Sequence, residues 1–370
     1  MKHLQTNISF LLVVCLILIG KPSSDLQANA VCLGVESSFL SNEEYLAAYL
    51  AEPLLGSIYG NGFLSSMADS AVLQNVNSTL MGGSLIHKNR VSLGYSIARS
   101  KIENRFPLID QTELRSLPTI GAAVSPNLTF ATNLGHFLDK SGEWRKLNVH
   151  LQFFSYYPSE INLLFLNIRN VNVKGRVANF SAKVRYFPFA IDSTPNKEID
   201  SDSKIESDSV DWKSGISFGL GLYRTDQYVI LDTYDRRPTQ IVSNGQRRRW
   251  IGLNELRYES EIYTGSGDVR YAYGWKGFSF FGGIGLIGSQ GRLSIRAERY
   301  ALISSRTNNN DFDSNPIGVG INLKLNEFYQ DISALGILGL QFTYQDFGFG
   351  LEYMKSFQAE SVNFGIQYYF

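Results

Sequence analysis

From Val91 to its last residue the chain is written largely in period two. Val362, Phe364, Ile366, Tyr368 and Phe370 are apolar or aromatic, and Asn363, Gly365, Gln367 and Tyr369 stand between them. Alternation over a strand sends one set to each face. The same grammar recurs upstream. Phe347, Phe349, Leu351 and Tyr353 alternate with Gly348, Gly350, Glu352 and Met354, while Leu338, Leu340, Phe342 and Tyr344 alternate with Gly339, Gln341 and Thr343. Ile317–Leu325, Val269–Trp275, Ile216–Leu222, Phe180–Tyr186, Val149–Phe153 and Val91–Ile97 follow suit. Only Gln345-Asp346 separates two of these runs, and Lys276-Gly277 separates two others, so both junctions read as tight hairpins.

The intervening set is glycine, polar or charged, as a lumen-facing or water-facing set should be. A charged side chain on a lipid face costs roughly 2–4 kcal/mol at the bilayer midplane. A soluble β-sandwich would instead pack its apolar face against a second sheet and expose fewer aromatics. The pattern predicts an all-β fold, a transmembrane antiparallel β-barrel of about 12–14 strands. Outer-membrane barrels close with their last strand, and its terminal aromatic sits in the interfacial girdle. Val362, Phe364, Ile366, Tyr368 and Phe370 therefore read as an assembly signal, with the barrel-assembly machinery and outer-membrane lipid as partners. A periplasmic C-terminus puts Gln345-Asp346 on the periplasmic side and 356–360 outside. Continued upstream, this parity assigns the long stretches 225–249 and 304–315 to the periplasm, which implies a strand missed or one counted too many, with Tyr228–Leu231 the candidate.

The N-terminus alternates nowhere. Lys2 and His3 precede the apolar run Ile8–Ile19, which is too short to span a bilayer and of signal-peptide length. Ala28-Asn29-Ala30 is an A-x-A cleavage site, so 1–30 reads as a signal peptide; an uncleaved anchor, or lipidation of Cys32, are the alternatives. No later segment is apolar for 18 residues. Ser41 and Glu44 form a capping box, with Leu46, Tyr49 and Leu50 on one helical face. Pro53 and Gly56 end that helix, and Phe63, Leu64, Met67, Ala68 and Ala71 predict a second. The organisation expected is a signal peptide (1–30), a short helical segment able to plug the lumen (31–80) and the barrel (81–370).

Charge removes some classes of function. The chain has 34 Lys+Arg and 34 Asp+Glu, and loss of 1–30 leaves 32 basic against 33 acidic residues. Such a chain has no net field with which to hold nucleic acid. Two cysteines, one of them in the leader, exclude a disulfide scaffold. The sequence Gly283–Gly288 matches G-x-G-x-x-G but sits within an alternating strand with no helix after it, so no dinucleotide cofactor is expected. His87, His136 and His150 share no metal-ligand spacing, and neither a catalytic residue nor a metal is expected.

Two loops carry opposite charge. Residues 190–211 hold Asp192, Glu198, Asp200, Asp202, Glu206, Asp208 and Asp211 against Lys197 and Lys204. Residues 232–250 hold Arg236, Arg237, Arg247, Arg248 and Arg249 against Asp232 and Asp235. They read either as solvated rim loops or as a ligand-contacting pair, the arginines suiting sulfated glycans or lipid phosphates.

Several segments together resemble the leptospiral surface-adhesin family of outer-membrane proteins. These are Tyr45-Leu46-Ala47-Ala48-Tyr49-Leu50 with Pro53, the Gly60–Asp69 stretch, Leu117-Pro118-Thr119, Lys183-Val184-Arg185-Tyr186 and Gly219-Leu220-Gly221-Leu222. The resemblance implies a surface-exposed barrel of a diderm bacterium, binding host extracellular-matrix or plasma proteins; it names no binding residue. The rival is a channel or transporter for small or hydrophobic solutes, with 41–75 as its hatch.

Overall fold

A computed structural model describes residues 25–31, 64–78, 89–101, 120–138, 143–156, 171–188, 213–234, 239–243, 246–275, 277–305 and 317–370. Among the described residues twelve strands form one antiparallel sheet. They are β1 (Asp25–Val31), β2 (Arg90–Lys101), β3 (Ile120–Asn133), β4 (Leu147–Tyr156), β5 (Val171–Tyr186) and β6 (Lys213–Tyr234), followed by β7 (Thr239–Ser243), β8 (Gln246–Trp275), β9 (Phe278–Ser305), β10 (Ile317–Tyr344), β11 (Phe347–Lys355) and β12 (Ala359–Tyr369). Among the described residues a helix of 14 residues, α1 (Leu64–Asn77), precedes β2.

Ten of the strands close on themselves. Each of β2–β6 and β8–β12 pairs with its neighbours in this set, and β12 returns to β2 with Tyr369 opposite Arg90 and Ala359 opposite Ser100. Closure leaves no open edge in the ring, the condition for β structure to lie in lipid. The expected count of 12–14 therefore fits the whole sheet, not the barrel. β1 and β7 are short extra strands, laid along the far parts of β10 and β8.

The alternation maps onto the wall as predicted. Ile216, Phe218, Leu220 and Leu222 face outward and exposed, as do Leu338, Leu340, Phe347, Phe349, Leu351, Val362, Phe364 and Ile366. At the Phe370 end the outward aromatics crowd together: Tyr368 lies 5.3 Å from Phe347 and 6.3 Å from Phe370, centroid to centroid, beside exposed Trp275, Phe278 and Tyr344. This is the aromatic girdle of a membrane interface. At the other boundary the outward positions turn polar in register, with Arg224 opposite Tyr263 and Tyr263 opposite Gln290. Arg224 there bonds Asp226 and Glu261 at 3.1 and 3.0 Å.

Strand length explains the parity problem. β8, β9 and β10 are 30, 28 and 28 residues long, whereas about ten suffice to cross a bilayer. Residues 225–234 are no loop but the continuation of β6, and 304–305 end β9. Their far ends, like the β11–β12 turn at 356–358, lie at the end opposite Phe370. The tight turns at Gly277 and Gln345-Asp346 lie at the Phe370 end, with Gln345 at φ 54° and Gly277 at φ 84°. Short turns mark the periplasmic end.

Two further readings meet the structure only partly. Ala28-Asn29-Ala30 lies within β1, where Ala28 stands opposite Leu323 of β10. Cys32, the first expected helix and the acidic stretch 190–211 lie outside the described residues.

Candidate functional site

α1 runs inside the barrel. Its apolar positions Leu64, Ala68, Val72, Leu73 and Val76 pack into one cluster with Tyr258, Ile262, Leu293 and Ile337 of the wall. Its polar positions are buried as well, since the wall surrounds it. Asn75 Nδ2 donates to Arg224 O and Thr225 Oγ1, Asn77 Nδ2 donates to Ser361 Oγ, and Asn363 Nδ2 donates to Asn77 O. Ser100 Oγ donates to Ser66 O, and a Cβ on Gly121 would come within 2.3 Å of that same carbonyl, so glycine lets the helix start sit against β3. With Ser66 beside Ser100 and Asn77 beside Asn363, the helix descends from the far end towards the middle of the lumen.

Near the lumen's far mouth, Tyr329 OH donates to Asp69 Oδ1 at 2.6 Å. Burial raises the Asp69 carboxyl to about 7; the Tyr329 bond opposes this rise and Asp331 adds to it. Docked Asp69 thus holds a proton between pH 4 and 7 that a solvated one releases, so docking weakens as pH rises across that window and the loss is complete above pH 7. Protection of the α1 amides, measured against their intrinsic exchange rates, is expected to be higher at pH 5 than at pH 8, and Asp69→Asn should flatten the difference. Equal pH dependence in that variant would assign the effect elsewhere.

Below the helix the wall carries charge. Asp268 Oδ1 accepts from Arg185 Nη2 at 2.6 Å and Arg270 Nε at 2.8 Å, and Lys183 Nζ lies 2.7 Å from Asp268 Oδ2. Arg270 Nη1 reaches Glu352 Oε1 on β11 at 2.8 Å. These five residues are almost wholly buried. A Cβ at Gly219 would meet Arg185 and Asp268 at 2.8 Å, so the inward glycine makes room for the cluster. Sequence reading left this network unnamed. The signal was there in part, because Lys183 with Arg185 and Asp268 with Arg270 recur at spacing two on inward faces; which strand meets which is not written locally.

Among the residues singled out for binding, Arg247, Arg248 and Arg249 lie on β8 at the far tip, opposite Val242, Ile241 and Gln240 of β7. Arg236 and Arg237 are outside the described residues, between β6 and β7. β5 ends and β6 begins at the Phe370 end. Residues 190–211 themselves lie outside the described residues, so only the arginine-bearing half of the expected ligand-contacting pair has a place in the structure. Val362, Phe364, Ile366, Tyr368 and Phe370 share the outward face of β12. Gly283–Gly288 lies within β9, which runs on to Ser305. Among the described residues no three His, Cys, Asp or Glu are placed to hold a metal.

A closed ring with an apolar outer belt, an aromatic girdle and a polar lumen defines an outer-membrane β-barrel. The chain belongs to the Lsa36-like family, whose model matches residues 25–370, a leptospiral surface-adhesin family as its motifs implied. Solved structures similar to it include Ail, the attachment invasion locus protein of Yersinia pestis, in complex with the heparin analogue sucrose octasulfate (12% identity, 78% of this chain and 100% of that one, TM-score 0.22). The translocator domain of the autotransporter NalP from Neisseria meningitidis is similar at 10% identity, over 88% of this chain and 100% of that one, with TM-score 0.24. The Pseudomonas putida toluene transporter TodX is similar at 9% identity, over 83% and 95%, with TM-score 0.22. No curated protein matches.

Proposed function

We propose that the protein is a surface adhesin that engages sulfated or acidic host macromolecules through the arginine-bearing tip of a sheet projecting from the barrel. The observation that carries this reading is the reach of the strands. Residues 246–262 of β8 and 289–305 of β9 continue past the polar boundary of the belt as an unbroken ladder, roughly 50 Å of strand. A pore needs no such extension, whereas a ligand-contacting surface must clear the lipopolysaccharide or lipid headgroups. Arg247, Arg248 and Arg249 supply guanidinium groups for sulfate or carboxylate, with Arg236 and Arg237 close by in sequence.

Binding of the purified barrel to immobilised heparin or laminin should weaken as salt rises, since exposed charges are screened beyond about 10 Å at 0.1 M. Reversal of Arg247, Arg248 and Arg249 to Glu should reduce it by at least about tenfold, because a single lost charge-assisted contact is worth about 1.5 kcal/mol or more. Binding that survives the triple reversal, or ignores salt, removes the cluster from consideration.

The second reading, a channel with α1 as hatch, is favoured by the helix in the lumen. It expects planar-bilayer conductance to rise when α1 is undocked. The adhesin reading expects no effect of undocking on heparin or laminin binding.

A further inference from the structure

We propose that the lumen wall formed by β2–β5, beneath the end of α1, binds one small oxyanion of the phosphate class. Two rungs of this wall are in register. Arg90, Ala131, His150 and Lys183 stand opposite one another across β2, β3, β4 and β5, and Ser92, Thr129, Gln152 and Ser181 form the next rung towards the helix. All are inward-facing and buried. On these rungs the hydrogen-bonding capacity of Ser92 Oγ, Thr129 Oγ1, both ring nitrogens of His150 and Gln152 Nε2 is unused, and Arg185 Nε is unused beside them. Neighbouring strands and alternate residues place such groups about 5–7 Å apart, the span of a tetrahedral oxyanion together with its hydrogen bonds.

Charge selects the ligand. Lys183, Arg185 and Arg270 share Asp268 and Glu352, so three cations face two carboxylates. Water trapped on the two rungs would satisfy the unused donors but leave the surplus positive charge in a low-dielectric enclosure. An anion satisfies both. Chloride would balance the charge yet reach only a few donors, whereas an oxyanion presents several acceptors to both rungs at once. The hydroxyls and the amide of the upper rung act as directional donors; Lys183 supplies the charge.

The test uses the full chain refolded in detergent and titrated with inorganic phosphate, followed by calorimetry and by phosphorus NMR line broadening. Heat-modifiable gel migration reports that each variant is folded. One saturable site per barrel is expected, at least tenfold weaker in Lys183→Met, where Asp268 keeps Arg185 and Arg270. His150→Ala, which removes no carboxylate partner, should weaken it as well and stands in should Lys183→Met not fold. Sulfate should compete with phosphate, and chloride at equal concentration should not. Absence of saturable binding overturns the proposal. So does a stoichiometry well above one, or binding indifferent to both variants, since either means phosphate is held on the outer arginines.

Discussion

Phe370→Asp is expected to leave no assembled barrel. β12 is hydrogen-bonded along both edges, to β11 and to β2, so it is the strand that closes the ring. Phe370 continues that closure by one bond, its N–H donating to Asn89 O at 3.0 Å, and its ring stacks on Tyr368 in the girdle. A carboxylate near the interface costs only about 0–1 kcal/mol of folded-state stability. Complete loss of the heat-modifiable band in cells, with the variant still able to refold in detergent, would therefore locate the defect in delivery to the assembly machinery. Normal migration of Phe370→Asp from cells would end the assembly-signal reading. Phe370→Tyr should assemble normally.

Asp268→Ala should be the most destabilising single change inside the lumen. Lys183, Arg185 and Arg270 all converge on that carboxylate, and Ala would leave three buried cations with only the Glu352 carboxylate among them. Breaking a buried ion pair by removing one partner costs about 3–5 kcal/mol, because the remaining charge is stranded. Urea unfolding in lipid vesicles should show a loss of this order. The double variant Asp268→Ala, Lys183→Met should recover part of it, since one stranded charge goes with the lysine. An Asp268→Ala barrel as stable as the parent would mean that water already screens the cluster.

What the sequence could show follows from the range of the physics. Period two is local, and it made the outward belt, the inward polar set and the turns at Gln345-Asp346 and Lys276-Gly277 readable before any pairing was known. Strand length is not local. The run from Arg224 to Tyr234 loses its apolar outward set once it leaves the membrane, so it looks like a loop although β6 continues through it. Ile317–Leu325 and Leu338–Tyr344 likewise read as two strands although both belong to β10, and counting β10 twice raises the strand count and turns the long segments to the wrong end. The lumen network was still less legible. Lys183 and Asp268 are 85 positions apart in number, and their meeting is set by register between β5, β6 and β8. Leu64, Met67, Ala68 and Ala71 predict the second helix, and the buried Ser66, Ser70, Gln74 and Asn75 on the same helix show why its amphipathic pattern is weak. A helix enclosed by a polar wall has no solvent face to mark.

The unbroken course of β8 and β9 from girdle to tip also sets how the molecule carries load. A cell held by a ligand at Arg247–Arg249 would be pulled along the strand axis, perpendicular to the ladder hydrogen bonds between β8, β9 and β10. Force in that direction shears many bonds together instead of unzipping them one after another. The anchor in the membrane is the same pair of strands, with no hinge between grip and root. Were the tip to bind as proposed, the weakest link under flow would be the ionic contact there, which can re-form after each rupture, and the barrel itself would be spared.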